Sequence, residues 1–205
     1  MIDQDVTTPA SASAPGPLVT TEPIIAWRAW TLTASRRGIA YLLRPLIGSS
    51  RPWPPGEPAS ASCVFPRRHR APDRGCTCGL YAVSDGAQLR RARSPAVIGT
   101  VAMWGRVIEH EFGFRSEWAY PQRLQLVCHL CIWQHGYAGV RTDAVVRLER
   151  GRLFPLCERH LDLTMRCGIR PREIRSAGVV ERTLLDEYAV DLLRIPRGTR
   201  PSAAA

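Results

Sequence analysis

Two short words in the second half of the chain limit most what it can fold into: CHLC, which carries Cys128 and Cys131, and LCERH, which carries Cys157 and His160. Two thiols two residues apart form a turn that offers two corners of a tetrahedron. A Cys-x-x-His pair offers the other two, and a Cys₃His set is one that a structural Zn²⁺ takes. For a single cysteine the better reading is an ordinary buried thiol, but two ligand pairs with matching internal spacing point to a metal.

Upstream, and so first in chain order, ASCVFPRRHRAPDRGCTCGLYA carries Cys63, His69, Cys76 and Cys78, another set of four. The Cys-x-Cys element can place both thiolates on one ion because Gly75 and Gly79 let the loop turn tightly. The rival readings are buried or redox-active thiols and an iron–sulfur cluster, in which a His ligand is a minority case. The expectation is two structural Zn²⁺ sites.

Of the seven cysteines this leaves Cys167, expected free and buried. His129 and His135 are spare; His129 lies inside the Cys128 knuckle, where residues between ligands usually point away from the metal. The N-terminal MIDQDVTTPA has two early Asp residues and no basic segment ahead of an apolar one, unlike a secretory signal. A cytoplasmic, reducing compartment follows, in which thiols stay free for metal. No run approaches ~18 uninterrupted apolar residues, so no membrane partner is expected.

The net charge of +10 comes from 28 basic residues against 18 acidic ones. Every basic residue is Arg, and the chain has neither Lys nor Asn, the mark of a codon bias against A-rich triplets. The Arg content therefore reports partly on the genome. A basic surface permits nucleic-acid binding without establishing it. The arginines that would carry such binding are Arg147, Arg150, Arg152 and Arg166 in the finger and Arg170, Arg172 and Arg175 just after it, since guanidinium groups contact phosphate bidentately. Against them stand the interspersed acids Asp143, Glu149, Glu158 and Asp162.

Taken in order, residues 1–22 are rich in Thr, Ser, Ala and Pro and are expected to be disordered. IIAWRAWTL and RGIAYLLRPL read as two strands joined by a turn. A Pro-rich loop, RPWPPGEP, follows, with Trp53 as a core plug. SDGAQLRRARS reads as a short helix capped by Ser84 or Asp85. PAVIGTVAMWGRVIEHEFGFRSEWAYPQRLQLV carries the longest strand signal, apolar on both parities and turning at Gly113. Glu109, His110 and Glu111 near that turn lack the second His of a zincin motif and read as a solvated face. After the finger, Leu184, Leu185, Tyr188, Ala189, Leu192 and Leu193 recur at helical spacing, which predicts a helix over 180–194 that ends before Pro196.

Four words, H-x-A-P (His69, Ala71, Pro72), C-x-C-G-x-Y-A (Cys76, Cys78, Gly79, Tyr81, Ala82), G-x-V-x-x-W-G-x-V (Gly99, Val101, Trp104, Gly105, Val107) and A-Y-P (Ala119, Tyr120, Pro121), resemble those of an uncharacterised bacterial family common in actinomycetes. The likeness covers about residues 24–126 and implies a recurring small domain without supplying an activity. Further on, the knuckle, a hairpin built from Val140, Ala144, Val145, Val146 and Leu148 that turns at Arg150 and Gly151, and a helix over 158–165 are similar to a treble-clef or B-box-like zinc finger.

The expected fold class is α+β. A small twisted antiparallel β domain with a metal-binding loop and one helix (23–126) precedes a treble-clef-like finger (127–168). A C-terminal helical segment (169–197) and a second disordered tail (198–205) complete the chain. No P-loop, dinucleotide fingerprint, GxSxG elbow or Cys-His nucleophile arrangement is present, and a filled Cys₃His site keeps no open coordination position. The expected function is therefore a non-enzymatic zinc-binding protein that contacts nucleic acid through its Arg-rich surface. A protein-interaction module is the alternative, and an enzyme the third choice.

Overall fold

A computed structural model describes residues 18–35, 40–47, 51–65, 69–132, 141–148 and 152–194. Ten strands join one mostly antiparallel sheet. The two expected strands are β1 (Leu18–Ala34) and β2 (Tyr41–Pro45), which pair antiparallel from Trp30↔Pro45 to Ala34↔Tyr41. β5 (Val97–His110) and β6 (Gly113–Leu126) form a long hairpin. The short strands β3 (Ala59–Ser60) and β4 (Leu80–Val83) both pair with β6.

The pairings close a ring. β1 pairs with β5, β5 with β6, β6 with β4, and β4 returns to β1 at Trp27↔Val83. Closure leaves less bare strand edge than an open sheet would. It requires bent strands, and the register shifts between Thr100 and Val101 and between Trp104 and Val107 supply the bends. Inside lie Trp30, Leu32, Leu43, Val97, Val101, Met103, Leu124 and Leu126, while Ile98 on the other parity packs with Ala29, Leu89, Val127 and Ile132. Both faces of β5 are covered, as its double apolar parity requires.

Among the described residues, two helices follow the ring: α1 (Glu158–Arg166) and α2 (Ala177–Tyr188), the latter contributing Val180, Leu184 and Tyr188 to the main core. Trp53 is a core plug, edge-on to Trp30 with ring centroids 5.5 Å apart. Arg28 lies over its ring at 4.8 Å. Tyr188 fixes the Pro-rich loop: its hydroxyl donates to the Trp53 carbonyl at 2.8 Å and accepts from the Leu43 N–H at 2.9 Å. Tyr188→Phe leaves both of those buried groups without a partner. It is expected to cost about 1–3 kcal/mol in urea unfolding while metal content stays unchanged.

The hairpin of β7 (Ala144–Arg147) and β8 (Arg152–Leu156) belongs to the same sheet, since β8 pairs with β1 at Leu32↔Leu153 and Thr33↔Arg152. β9 (Glu173–Ser176) adds to β7.

Four expectations are corrected. Residues 18–22, read as disordered, belong to β1, because Val107, Arg106 and Gly105 of β5 provide partners for Leu18, Val19 and Thr20. The short helix read in SDGAQLRRARS is a 3₁₀ helix over Gly86–Arg91, capped by Asp85, whose side chain accepts from the Ala87 N–H at 2.9 Å. The C-terminal helix ends at Tyr188, with Ala189 left-handed at φ 50°. The chain then continues as β10 (Asp191–Leu192), parallel to β6, because that edge offers hydrogen bonds: the Leu193 N–H reaches the Leu124 carbonyl at 2.8 Å. Cys167 is exposed, at the C-cap of α1. The remaining expectations for residues 1–17 and 198–205, and those for His135, Val140, Glu149, Arg150 and Gly151, lie outside the described residues.

Candidate metal centres

The second cluster is assembled at the ends of two strands. Cys128 and Cys131 follow β6, and the turn between them is closed by the Ile132 N–H on the Cys128 carbonyl at 3.1 Å. Cys157 directly follows β8 and is the N-cap of α1, its side chain making no capping hydrogen bond to the helix backbone. His160 stands one turn further along that helix. The Cys128, Cys131 and Cys157 sulfurs lie 3.4, 3.3 and 3.2 Å from His160 Nδ1, and Cys131 and Cys157 are 3.6 Å apart. A tetrahedral ion with Zn–S of about 2.3 Å and Zn–N of about 2.0–2.1 Å has edges of roughly 3.8 Å between sulfurs and 3.6 Å from sulfur to nitrogen. The observed edges come within a few tenths of an ångström of those of such a polyhedron, and they are far too long for a disulfide.

All four ligands are buried. Burial, and after it the neighbouring Cys128, push the Cys131 thiol far up, so three thiolates here need a cation among them. At the start of α1, Asp143 Oδ2 accepts the Glu158 N–H at 3.0 Å.

The first cluster sits on the loop between β3 and β4, both of whose ends are held by neighbouring stretches of β6 (Ala59↔Ala119, Leu80↔Ser116). Cys63 and Cys76 sulfurs are 3.7 Å apart, and His69 Nε2 is 3.2 Å from the Cys78 sulfur. The four ligand atoms lie within 4.8 Å of one another. Asp73 shapes the turn before Cys76 by accepting the Gly75 N–H on its carboxylate at 2.9 Å and the Cys76 N–H on its carbonyl at 3.2 Å. Hydrogen bonding, led by the Cys78 backbone, draws the Cys76 thiol down, whereas burial pushes Cys78 up. Gly79, at φ +131°, leaves room where a Cβ would lie 3.0 Å from Arg115 and 3.2 Å from Pro72.

The structure thus brings both sequence-derived sets together, each able to hold a metal ion. Spacing gave no sign of Arg115, which donates through Nη1 to the carbonyls of Cys76, Cys78 and Asp73 and so ties the first loop to β6. His129 is not among the ligands; its ring packs on Phe154 at 5.1 Å. Glu109, His110 and Glu111 are exposed at the hairpin tip.

Among the described residues, several of the arginines read as phosphate contacts already have protein partners. Arg147 and Arg175 both meet Glu173, Arg166 pairs with Asp162 at 3.1 Å, and Arg152 lies over the Phe154 ring. Arg170 and Arg172 are exposed.

A mostly antiparallel β protein with two Cys/His tetrads is the class that this fold and these sites define. No family model, curated protein or solved structure matches the chain. No helix among the described residues is long and apolar enough to cross a membrane.

Proposed function

We propose that this chain is a non-enzymatic zinc protein in which two structural ions stabilise a small β fold, and that it works by contact with a macromolecular partner. The observation behind this reading is the pair of Cys/His tetrads, one of them wholly buried and with edges close to those of a tetrahedron. Three thiolates and one imidazole suit Zn²⁺, and four protein ligands leave no coordination position for a substrate. The knuckle, the β7–β8 hairpin and a helix that begins between the last two ligands support a treble-clef-like reading of the second site. Ligation contributes where a small core is insufficient, with ~10–16 kcal/mol of apparent binding free energy known for zinc-finger peptides.

The arginines of the finger lend nucleic acid little support as the partner, because Glu173 and Asp162 already engage Arg147, Arg166 and Arg175.

Metal analysis of the purified protein is expected to give about two equivalents of zinc and no visible absorption. One equivalent, lost completely in Cys128→Ser, would remove the Cys63 site from the proposal. Visible charge-transfer bands would replace zinc by iron and sulfur there.

A further inference from the structure

Next to the first Cys/His group lies an open cleft of about 560 Å³, lined by Val19, Arg70, Trp104, Arg106, Glu117 and Trp118 around Gly105. Its size falls within the roughly 300–1,000 Å³ of small-ligand sites. Trp104 and Trp118 oppose each other across the β5–β6 pair, and both stay half-buried. In regular strands neighbouring residues face opposite ways. Here the bulge between Trp104 and Val107 lets adjacent Glu117 and Trp118 line the same cleft. Gly105 makes this close approach feasible: its φ is +76°, and a Cβ would lie 2.9 Å from the Trp118 ring and 3.0 Å from Glu117 Oε2.

The charges are arranged as well. Glu117 is buried; its Oε1 accepts from Arg70 Nε at 2.7 Å and its Oε2 from the Arg106 backbone N–H at 3.3 Å. Arg106 Nη1 donates to the Arg70 carbonyl at 3.3 Å. Arg70 follows the ligand His69 directly, so the metal loop and Glu117 together hold its guanidinium at the wall. Two guanidinium groups against one carboxylate give the lining a surplus positive charge beside two indoles.

We propose that this cleft receives an unpaired nucleotide of a single-stranded nucleic acid, its base against the Trp104 and Trp118 indoles and its phosphate on the Arg70 and Arg106 side. Every base has a π-face that stacks on an aromatic ring, Arg meets phosphate bidentately, and the open mouth lets a strand continue past the cleft. A duplex keeps its bases stacked and cannot offer one. The inference rests on the reading of this chain as a macromolecule-binding protein, and it moves the contact from the arginines of the finger to the β5–β6 hairpin.

The test is fluorescence anisotropy of a short labelled oligo-thymidine titrated with the full-length, metal-loaded protein at ~50 mM salt. Saturable binding is expected, weakened about ten-fold by Trp104→Ala and by Arg106→Ala. Trp104→Phe, which keeps a π-face, should stay within about threefold of the parent, and Arg170→Ala with Arg172→Ala within about twofold. Four outcomes would overturn the proposal: no binding, equal binding of a duplex, indifference to both cleft variants, or equal competition by adenosine monophosphate at the oligonucleotide's own concentration. Zinc is measured in the same samples. Failure to bind with two equivalents present sinks the cleft alone, whereas binding without zinc sinks the metal reading alone.

Discussion

Cys128→Ser is expected to release one equivalent of metal and unfold the finger while the ring of strands stays folded. The reason is the make-up of the local core. Its buried members are Cys128, Cys131, Val146, Leu156 and Cys157, so three of the five are ligands. Without the ion, nothing ties those thiols, and with them the ends of β6 and β8 and the start of α1, to one another. Little else fixes α1, whose only buried residue is the ligand His160. The expected loss is a large part of the ~10–16 kcal/mol that zinc-finger ligation supplies. It should appear in hydrogen exchange as lost protection over α1 and β7, with β5 and β6 still protected. Cys63→Ser should be much milder, because β6 and the Arg115 bonds to three carbonyls still hold its loop. Equal loss of protection in the two variants would refute this asymmetry.

The two metal sets were legible in the sequence because ligand spacing is local chemistry: Cys-x-x-Cys and Cys-x-x-His each fit within one turn, and only the meeting of the pairs depends on the fold. The β5–β6 hairpin was legible from its length and from Gly113. Long-range pairing was not. The polar composition of residues 18–22 suggests disorder, yet β5 supplies their partners. Leu192 and Leu193 fit a helical stripe, but the free edge of β6 takes them instead. Arg115, Glu117 and Trp118 carry no spacing signal, and a bulge lets Glu117 and Trp118 line one cleft.

Gly99→Ala is expected to be among the most destabilising single changes in the ring. Gly99 pairs with Arg28 of β1 on one side and Leu124 of β6 on the other, immediately before a register shift. A Cβ there would lie 2.1 Å from the Arg123 carbonyl oxygen and 2.9 Å from Leu124 Cδ2. The first of these is backbone and cannot rotate away, and Arg123 is itself held between Thr100 and Asp191. The strands must therefore separate, at an expected cost of about 3 kcal/mol or more. For a chain of this size that lowers Tm by roughly 6–12 °C. Gly178→Ala is the control. It lies in α2 with only the Ser176 hydroxyl near its would-be Cβ, at 3.9 Å, and should stabilise by up to ~1 kcal/mol. Thermal unfolding followed by circular dichroism, with zinc measured in parallel, checks both; a Tm for Gly99→Ala within about 2 °C of the parent would contradict the close approach. The same G-x-V-x-x-W-G-x-V word thus joins two separate demands. Gly99, Val101 and Val107 serve strand packing in the ring, whereas Trp104 and Gly105 shape the cleft, so Trp104→Ala should impair ligand binding far more than stability and Gly99→Ala the reverse.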